Sequence, residues 1–210
     1  MIKIDILTIF PEMFEKVFST SIIGRATGTG VVEINVRNLR DWSDDNYKSV
    51  DDRPFGGGAG MVMRVDVVDR ALTELKKPNS KVILLDTKGK MYNQKVAETL
   101  KSEKHLILIA PHFEGIDHRV HDNLADEVYS IGPYVLSGGE LPVMVMVDSI
   151  VRLLPGSLGN PKSLEEESYS EEFETEYPQY TRPADYKGWK VPEILLSGDH
   201  KKISDWRKGK

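Results

Sequence analysis

The stretch KVILLDTKGKMYNQKVAETLKSEKHLILIAPHFEGID, residues 81–117, holds two apolar runs separated by a helix-like pattern. Val82-Ile83-Leu84-Leu85 and Leu106-Ile107-Leu108-Ile109 lack the polar alternation of a strand with one wet face. Both therefore read as strands covered on both sides, which is how parallel sheets in α/β proteins are built. Residues 94–101 have helical spacing and supply the crossover that parallel strands require. Outward from this unit, residues 2–10 and 31–36 add strand patterns, and residues 12–25 and 65–76 add helix patterns. Residues 142–154 read as a further helix, with Met144, Val147, Val151 and Leu154 at three- and four-residue spacing and Pro142 in the first turn. An α/β domain over residues 1–160 is expected. Periodicity is lost from residue 156 to 183, so residues 161–183 are expected to be a mobile linker. Residues 184–210 follow as a small appended element with a helix over residues 199–207.

The chain has 210 residues, 40% of them hydrophobic, enough to bury a substantial core. No apolar run approaches the roughly 20 residues of a membrane helix, and no basic-then-apolar leader opens the sequence, so a cytoplasmic protein with no membrane partner is expected. There is no cysteine, which removes disulfides, thiol nucleophiles and thiolate metal sites together. The net charge of −5 argues against indiscriminate polyanion binding. Charge is unevenly spread, however. Residues 163–177 carry seven carboxylates and no Lys or Arg, whereas the tail holds Lys187, Lys190, Lys201, Lys202, Arg207, Lys208 and Lys210.

Three segments could carry chemistry. RPFGGGAGM, residues 53–61, concentrates glycines that permit positive φ and close approach of backbone amides, but it lacks the Lys-Ser/Thr ending of a nucleotide-triphosphate loop. A connector and a ligand loop are both compatible with it. In YVLSGGELP, residues 134–142, Gly138-Gly139 precedes the last helix, either as a ligand loop or as a tight turn with Ser137 or Glu140 capping the helix. Arg152, on a mainly apolar helix, reads either as a snorkelling side chain or as an anion clamp. LILIAPHFEGIDHRV, residues 106–120, runs off a buried strand into Glu114, Gly115 and Asp117, where ligands of open α/β sheets bind. The spacing of His112, His118 and His121 matches no zinc template, so these are taken as surface histidines and no metal is assigned.

These segments, in this order, resemble the bacterial tRNA (guanine-N1)-methyltransferases of the SPOUT class. The resemblance runs from Ile4-Asp5-Ile6-Leu7-Thr8-Ile9-Phe10-Pro11, through residues 50–61 (VDDRPFGGGAGM) and Tyr134-Val135-Leu136-Ser137-Gly138-Gly139-Glu140-Leu141, to Tyr177-Pro178-Gln179-Tyr180-Thr181-Arg182-Pro183. Leu195-Leu196-Ser197-Gly198-Asp199-His200 and Trp206-Arg207 extend it over nearly the whole chain.

The resemblance implies a SPOUT-type parallel sheet with a C-terminal trefoil knot, a short helical appendage, and S-adenosyl-L-methionine (SAM) as cofactor. It implies that SAM is held by Leu85, Thr87 and Gly89 in one loop and by Pro111, Phe113, Glu114 and Gly115 in a second. The third loop comprises Ser130, Ile131, Gly132, Pro133, Tyr134, Val135, Leu136, Gly138 and Gly139. It places the target guanine against Arg53, Gly57, Gly58, Ala59, Gly60 and Met61. It assigns Glu167 as the base for the N1 proton and Arg152 as the cation facing the developing charge on O6. The partners implied are tRNA and a second copy of the chain, in a homodimer with shared active sites.

Departures from the family pattern fall in the cofactor loops. Ala110-Pro111-His112-Phe113 stands where Cys-Gly-Arg-Tyr is usual, Asp86-Thr87-Lys88-Gly89 replaces Ser-Pro-Gln-Gly, and Pro133 replaces an aspartate. They leave open a binding protein with weakened catalysis, and a SPOUT enzyme with another RNA target. The family also continues past Trp206-Arg207 with helices that grip tRNA, so a truncated chain or a piece of a longer fusion is expected.

Overall fold

The computed structural model describes residues 1–160, 168–169 and 177–209. These form two compact units, Met1–Gly159 and Asn160–Lys210. In the first unit, strands β1 (Ile2–Thr8), β2 (Val32–Asn38), β5 (Ser80–Met91), β6 (His105–Ile109) and β7 (Glu127–Ser130) form one sheet in the order β2-β1-β6-β5-β7. Every pairing in it is parallel. Strands β3 (Asp51–Asp52) and β4 (Val62–Met63) pair antiparallel and close the base of the glycine-rich segment. The helices are α1 (Glu15–Phe18), α2 (Ser21–Gly28), α3 (Val65–Leu75), α4 (Gln94–Leu100), α5 (His118–Asn123) and α6 (Glu140–Val151). The two apolar runs of residues 81–117 occupy the middle of the sheet. All of β6 is buried, as are Val82, Ile83, Leu84 and Leu85 of β5, because helices cover both faces.

Several elements differ from expectation. Residues 12–25 are not one helix: a 3₁₀ turn at Pro11–Phe14 leads into α1, and the chain breaks before α2. At the break Thr20 Oγ1 donates to the Lys16 carbonyl at 2.8 Å, Thr20 is extended, and Ser21 takes φ of 53°. Hydroxyls that bond nearby backbone compete with helix continuation in this way. Helix α6 starts two residues earlier than expected, at Glu140, with Pro142 tolerated in its first turn. A short polar stretch also pairs as β7, extending the sheet beyond the strands the periodicity displayed.

Midway along β1, Asp5 is fully buried. Its carboxylate meets His105 Nε2 at 2.8 Å, Arg37 Nε at 3.2 Å and Lys3 Nζ at 3.3 Å, and His105 Nδ1 meets Ser80 Oγ at 2.7 Å. Burial alone would raise the Asp5 pKa, but the hydrogen bonds from His105 and Arg37 and the charge of Lys3 outweigh it and hold it below the usual 3.8. This cluster ties β1, β2, β5 and β6 together.

In the second unit, β8 (Asp185–Tyr186) and β9 (Trp189–Lys190) form a hairpin, followed by α7 (Glu193–Leu196) and α8 (His200–Arg207). Asp199 caps α8 by accepting the Lys202 N–H at 3.2 Å, and Trp206 of that helix packs against Tyr177 and Tyr180. The expected helix is present; the hairpin was not expected. Most of residues 161–183, Glu167 included, lies outside the described residues. Among the described residues no helix is long and apolar enough to cross a membrane.

Candidate active site

A cleft of about 230 Å³ opens at the carboxyl ends of β5, β6 and β7. Sequence reasoning named sixteen cofactor residues, and all but Gly89 and Pro133 line this cleft. Asp86, His112, Tyr129, Ser137 and Pro142 line it too and were not named. Asp86, His112 and Ser137 sit between or beside named residues, so contiguity was the available signal. Tyr129, next to Ser130, carried the same signal; Pro142 carried none, because its position depends on how α6 docks.

The cleft exists because glycines let backbones meet. Gly139, the N-cap residue of α6, donates its N–H to the Pro111 carbonyl at 2.6 Å, and a Cβ there would lie 2.7 Å from Pro111 N and 2.8 Å from Ala110 Cα. Its φ is −82°, so glycine is required by close approach and not by backbone conformation. Gly89 has the same role on a neighbouring strand. Strand β5 shifts register between Leu85 and Lys90, bulging over the cleft, and a Cβ on Gly89 would lie 2.6 Å from the Tyr129 backbone. Gly89 thus shapes the wall from behind. Gly115, at φ of 115°, and Phe113, at φ of 60°, turn the loop after β6 into the cleft.

The helix-cap reading of Ser137 or Glu140 does not hold. Helix α6 has no side-chain cap at its N-terminus. Glu140 is instead buried, accepting from Thr8 Oγ1 at 3.0 Å and from His112 Nδ1 at 3.2 Å, while the Phe10 N–H donates to Thr8 Oγ1 at 3.0 Å. His112 also packs edge-on to Phe10 and Phe113, with ring centroids 4.8 and 5.4 Å away. Nor is His121 a surface histidine: its side chain is 9% exposed and meets Asp86 at 3.2 Å, fastening the β5 bulge to α5. His118, stacked on His121, is exposed. Asp117 caps α5 and is gripped by Arg119 at 2.9 and 2.6 Å, whose hydrogen bonds hold its pKa below the usual carboxylate value. Burial, together with its hydrogen bond to Glu127, raises the Tyr129 pKa, so the phenol stays protonated at neutral pH.

The departures noted in the sequence are accommodated by the backbone. Pro111 supplies the carbonyl that Gly139 needs, and Pro133 stands outside the cleft. Arg53, Gly57, Gly58, Ala59 and Gly60 are exposed on the loop closed by β3 and β4, and Met61 is half-buried. That loop is stitched to the one after β6: Glu114 N–H donates to the Met61 carbonyl, Met63 N–H to Gly115, and Asp117 N–H to Met63, each at 3.0 Å. The substrate-loop residues do not line the cleft, but their base abuts Glu114 and Gly115, which do. Arg152 is half-buried at the C-cap of α6. Twelve residues of helix, about 18 Å, separate it from Gly139 at the cleft.

The sequence matches the family described as tRNA (Guanine-1)-methyltransferase TrmD over residues 2–210. Relatives called tRNA (guanine-N(1)-)-methyltransferase include one from Dictyoglomus turgidum, 53% identical over 99% of this chain and 84% of the relative. Others are from Carboxydothermus hydrogenoformans, 50% identical over 98% of this chain and 81% of the relative, and from Clostridioides difficile, 48% identical over 98% and 90%. With a parallel sheet, a glycine-walled cleft at its carboxyl edge and near-complete coverage by such relatives, the chain belongs to the tRNA (Guanine-1)-methyltransferase TrmD family.

Proposed function

We propose that this protein transfers the methyl group of SAM to N1 of the guanosine immediately 3′ of the anticodon in tRNA, in the cytoplasm, as a homodimer with shared active sites. The observation that carries the reading is the cleft at the carboxyl ends of β5, β6 and β7, where Gly89 and Gly139 bring three loops together. Apolar Leu85, Ile131 and Leu136 share its lining with the backbone of residues 134–138, which lies between β7 and α6 and outside any strand or helix, a mixture suited to an adenosine. In this reading the same three loops form the trefoil knot. Residues 1–160 form the SAM-binding methyltransferase domain, residues 161–183 join it to the tail and contribute the base, and residues 184–210 hold tRNA.

When bound, SAM supplies a methyl group on a sulfonium, whose C–S bond breaks as N1 bonds to carbon, leaving a neutral thioether. The protein must align N1 with that methyl and take the N1 proton. Glu167 accepts the proton, and Arg152 stabilises the charge that builds on O6. The distance of Arg152 from the cleft of its own chain supports a site completed by a second copy. An apolar stripe supports the same arrangement: Leu141 and Val145 of α6 are 52% and 48% exposed, with Met13 and Val17 exposed on the neighbouring turn and α1.

Methyl transfer from radiolabelled SAM to unmodified tRNA transcripts tests the reading, with guanosine or adenosine placed 3′ of the anticodon. Incorporation with guanosine alone is expected, and equal incorporation with adenosine overturns it. Glu167→Gln should lower single-turnover rates roughly 10²–10⁴-fold with SAM affinity unchanged, as loss of a general base does. Glu166→Gln should match the parent; parent-like rates in both would remove Glu167 from the chemistry.

A further inference from the structure

The β8–β9 hairpin carries the most exposed tryptophan that the described residues contain. Trp189 is 74% exposed and its cross-strand partner Tyr186 is 52% exposed. Such exposure is unusual for large aromatics, whose burial is worth more than that of most side chains. Elsewhere in this unit Tyr177 and Tyr180 lie against Trp206, and Arg207 sits over the Tyr177 ring at 4.7 Å. Among the described residues, the ring neighbours of Tyr186 and Trp189 are one another and a lysine. Their ring centroids are 5.8 Å apart with planes inclined at 61°, and Lys187 Nζ lies 5.3 Å from the centre of the Tyr186 ring.

The hairpin holds these groups in a fixed relation. Its two-residue turn, Lys187-Gly188, has both residues at positive φ, 57° and 87°, the conformation that matches the twist of paired strands. Asp185 accepts the Gly188 N–H at 2.8 Å, so the hairpin's one carboxylate is engaged in closing the turn. Because side chains alternate along a strand, the Tyr186–Trp189 pair stands on one face and the Asp185–Lys190 pair on the other. The aromatic face thus presents exposed ring surface with an ammonium over the Tyr186 ring, and the hairpin's own carboxylate is held by its turn.

A planar heteroaromatic attached to a phosphodiester matches both features, the base lying on the ring and the phosphate meeting the ammonium. We propose that the Tyr186–Trp189 face is a stacking platform for an unpaired nucleotide of the tRNA substrate, with Lys187 neutralising an adjacent phosphate. The platform rests on the reading that the protein acts on tRNA, and it adds a subsite carried by the second unit. The gain is selective for unpaired nucleotides, since bases within a helix are already stacked.

The test is tRNA binding by the whole chain, using an unmodified tRNA transcript and followed by intrinsic fluorescence and filter binding. The parent is expected to show tRNA-dependent quenching that Trp189→Phe removes while keeping near-parent affinity. Trp189→Ala is expected to weaken binding about ten-fold, as loss of one base–aromatic stack does, with SAM affinity unchanged. Lys187→Gln is expected to reduce the slope of log affinity against log salt by about one. If Trp189→Ala binds tRNA as the parent does, or changes the sedimentation of the protein and not its tRNA affinity, the platform is wrong and the hairpin is a protein contact. A parent that methylates tRNA in the same series keeps the proposed function intact when the platform fails. A parent that neither binds nor methylates it overturns both.

Discussion

Gly139 is the residue on which the cleft depends most directly. A valine there would drive its branched Cβ into the backbone of Ala110 and Pro111, which cannot give as a flexible side chain would. Gly139→Val is therefore expected to abolish SAM binding in calorimetry and to lower the melting temperature as well. SAM binding by a folded Gly139→Val protein at parent affinity would contradict this placement. Within the sheet, Asp5 has a native pKa below its unfolded value, so its stabilisation is complete above about pH 4 and is lost as pH falls through the lower native value. Asp5→Asn should cost about 3 kcal/mol at neutral pH, in keeping with breaking one partner from a buried ion cluster. It should also flatten the acid limb of the stability curve, measured by denaturant unfolding from pH 6 to pH 2. Much at this scale was legible: the glycines and loop residues of the cleft could be named from their motifs. The pairings of Glu140 with Thr8 and His112, and of Asp86 with His121, were not, because the partners are joined only when separate strands and helices meet.

Among the elements, the loop closed by β3 and β4 owes its position to three hydrogen bonds with the loop after β6, and Gly60 lies where they begin. Gly60 has φ of 79°, and a Cβ on it would overlap the Glu114 side chain. Gly60→Ala combines a left-handed backbone with that overlap, so it should loosen the loop from the cleft wall. The expected outcome is weaker tRNA binding and weaker SAM binding together, with a melting temperature a few degrees lower. Loss of tRNA affinity alone would mean that the two loops act separately. Strands β5 and β6 were readable because burial on both faces leaves an unbroken apolar run, and α3, α4 and α8 because one face alternates with solvent. Strand β7 and the β8–β9 hairpin were not. The first is four residues at a sheet edge, half polar, and the second is two residues a side, too short for any period to register.

For the molecule as a whole, the proposed homodimer makes the exposed stripe of α6 a seam. Val145→Lys should yield a monomer by sedimentation that binds SAM less than ten-fold more weakly yet transfers no methyl group; a fully active monomer would end the shared-site reading. The order β2-β1-β6-β5-β7 has a further result, one concerned with time. Strand β1 pairs on one side with β2, which follows closely, but its other side waits for β6, with Lys3 joined to His105. At the roughly 5–20 residues per second of synthesis, that side stays unpaired for about 5–20 seconds. During that interval Ile4, Ile6 and Leu7, later fully buried, have no sheet to enter on that side. Newborn chains halted between residues 50 and 100 should consequently be protease-sensitive and bound by holdase chaperones, and resistance should arise only once β6 has cleared the ribosome.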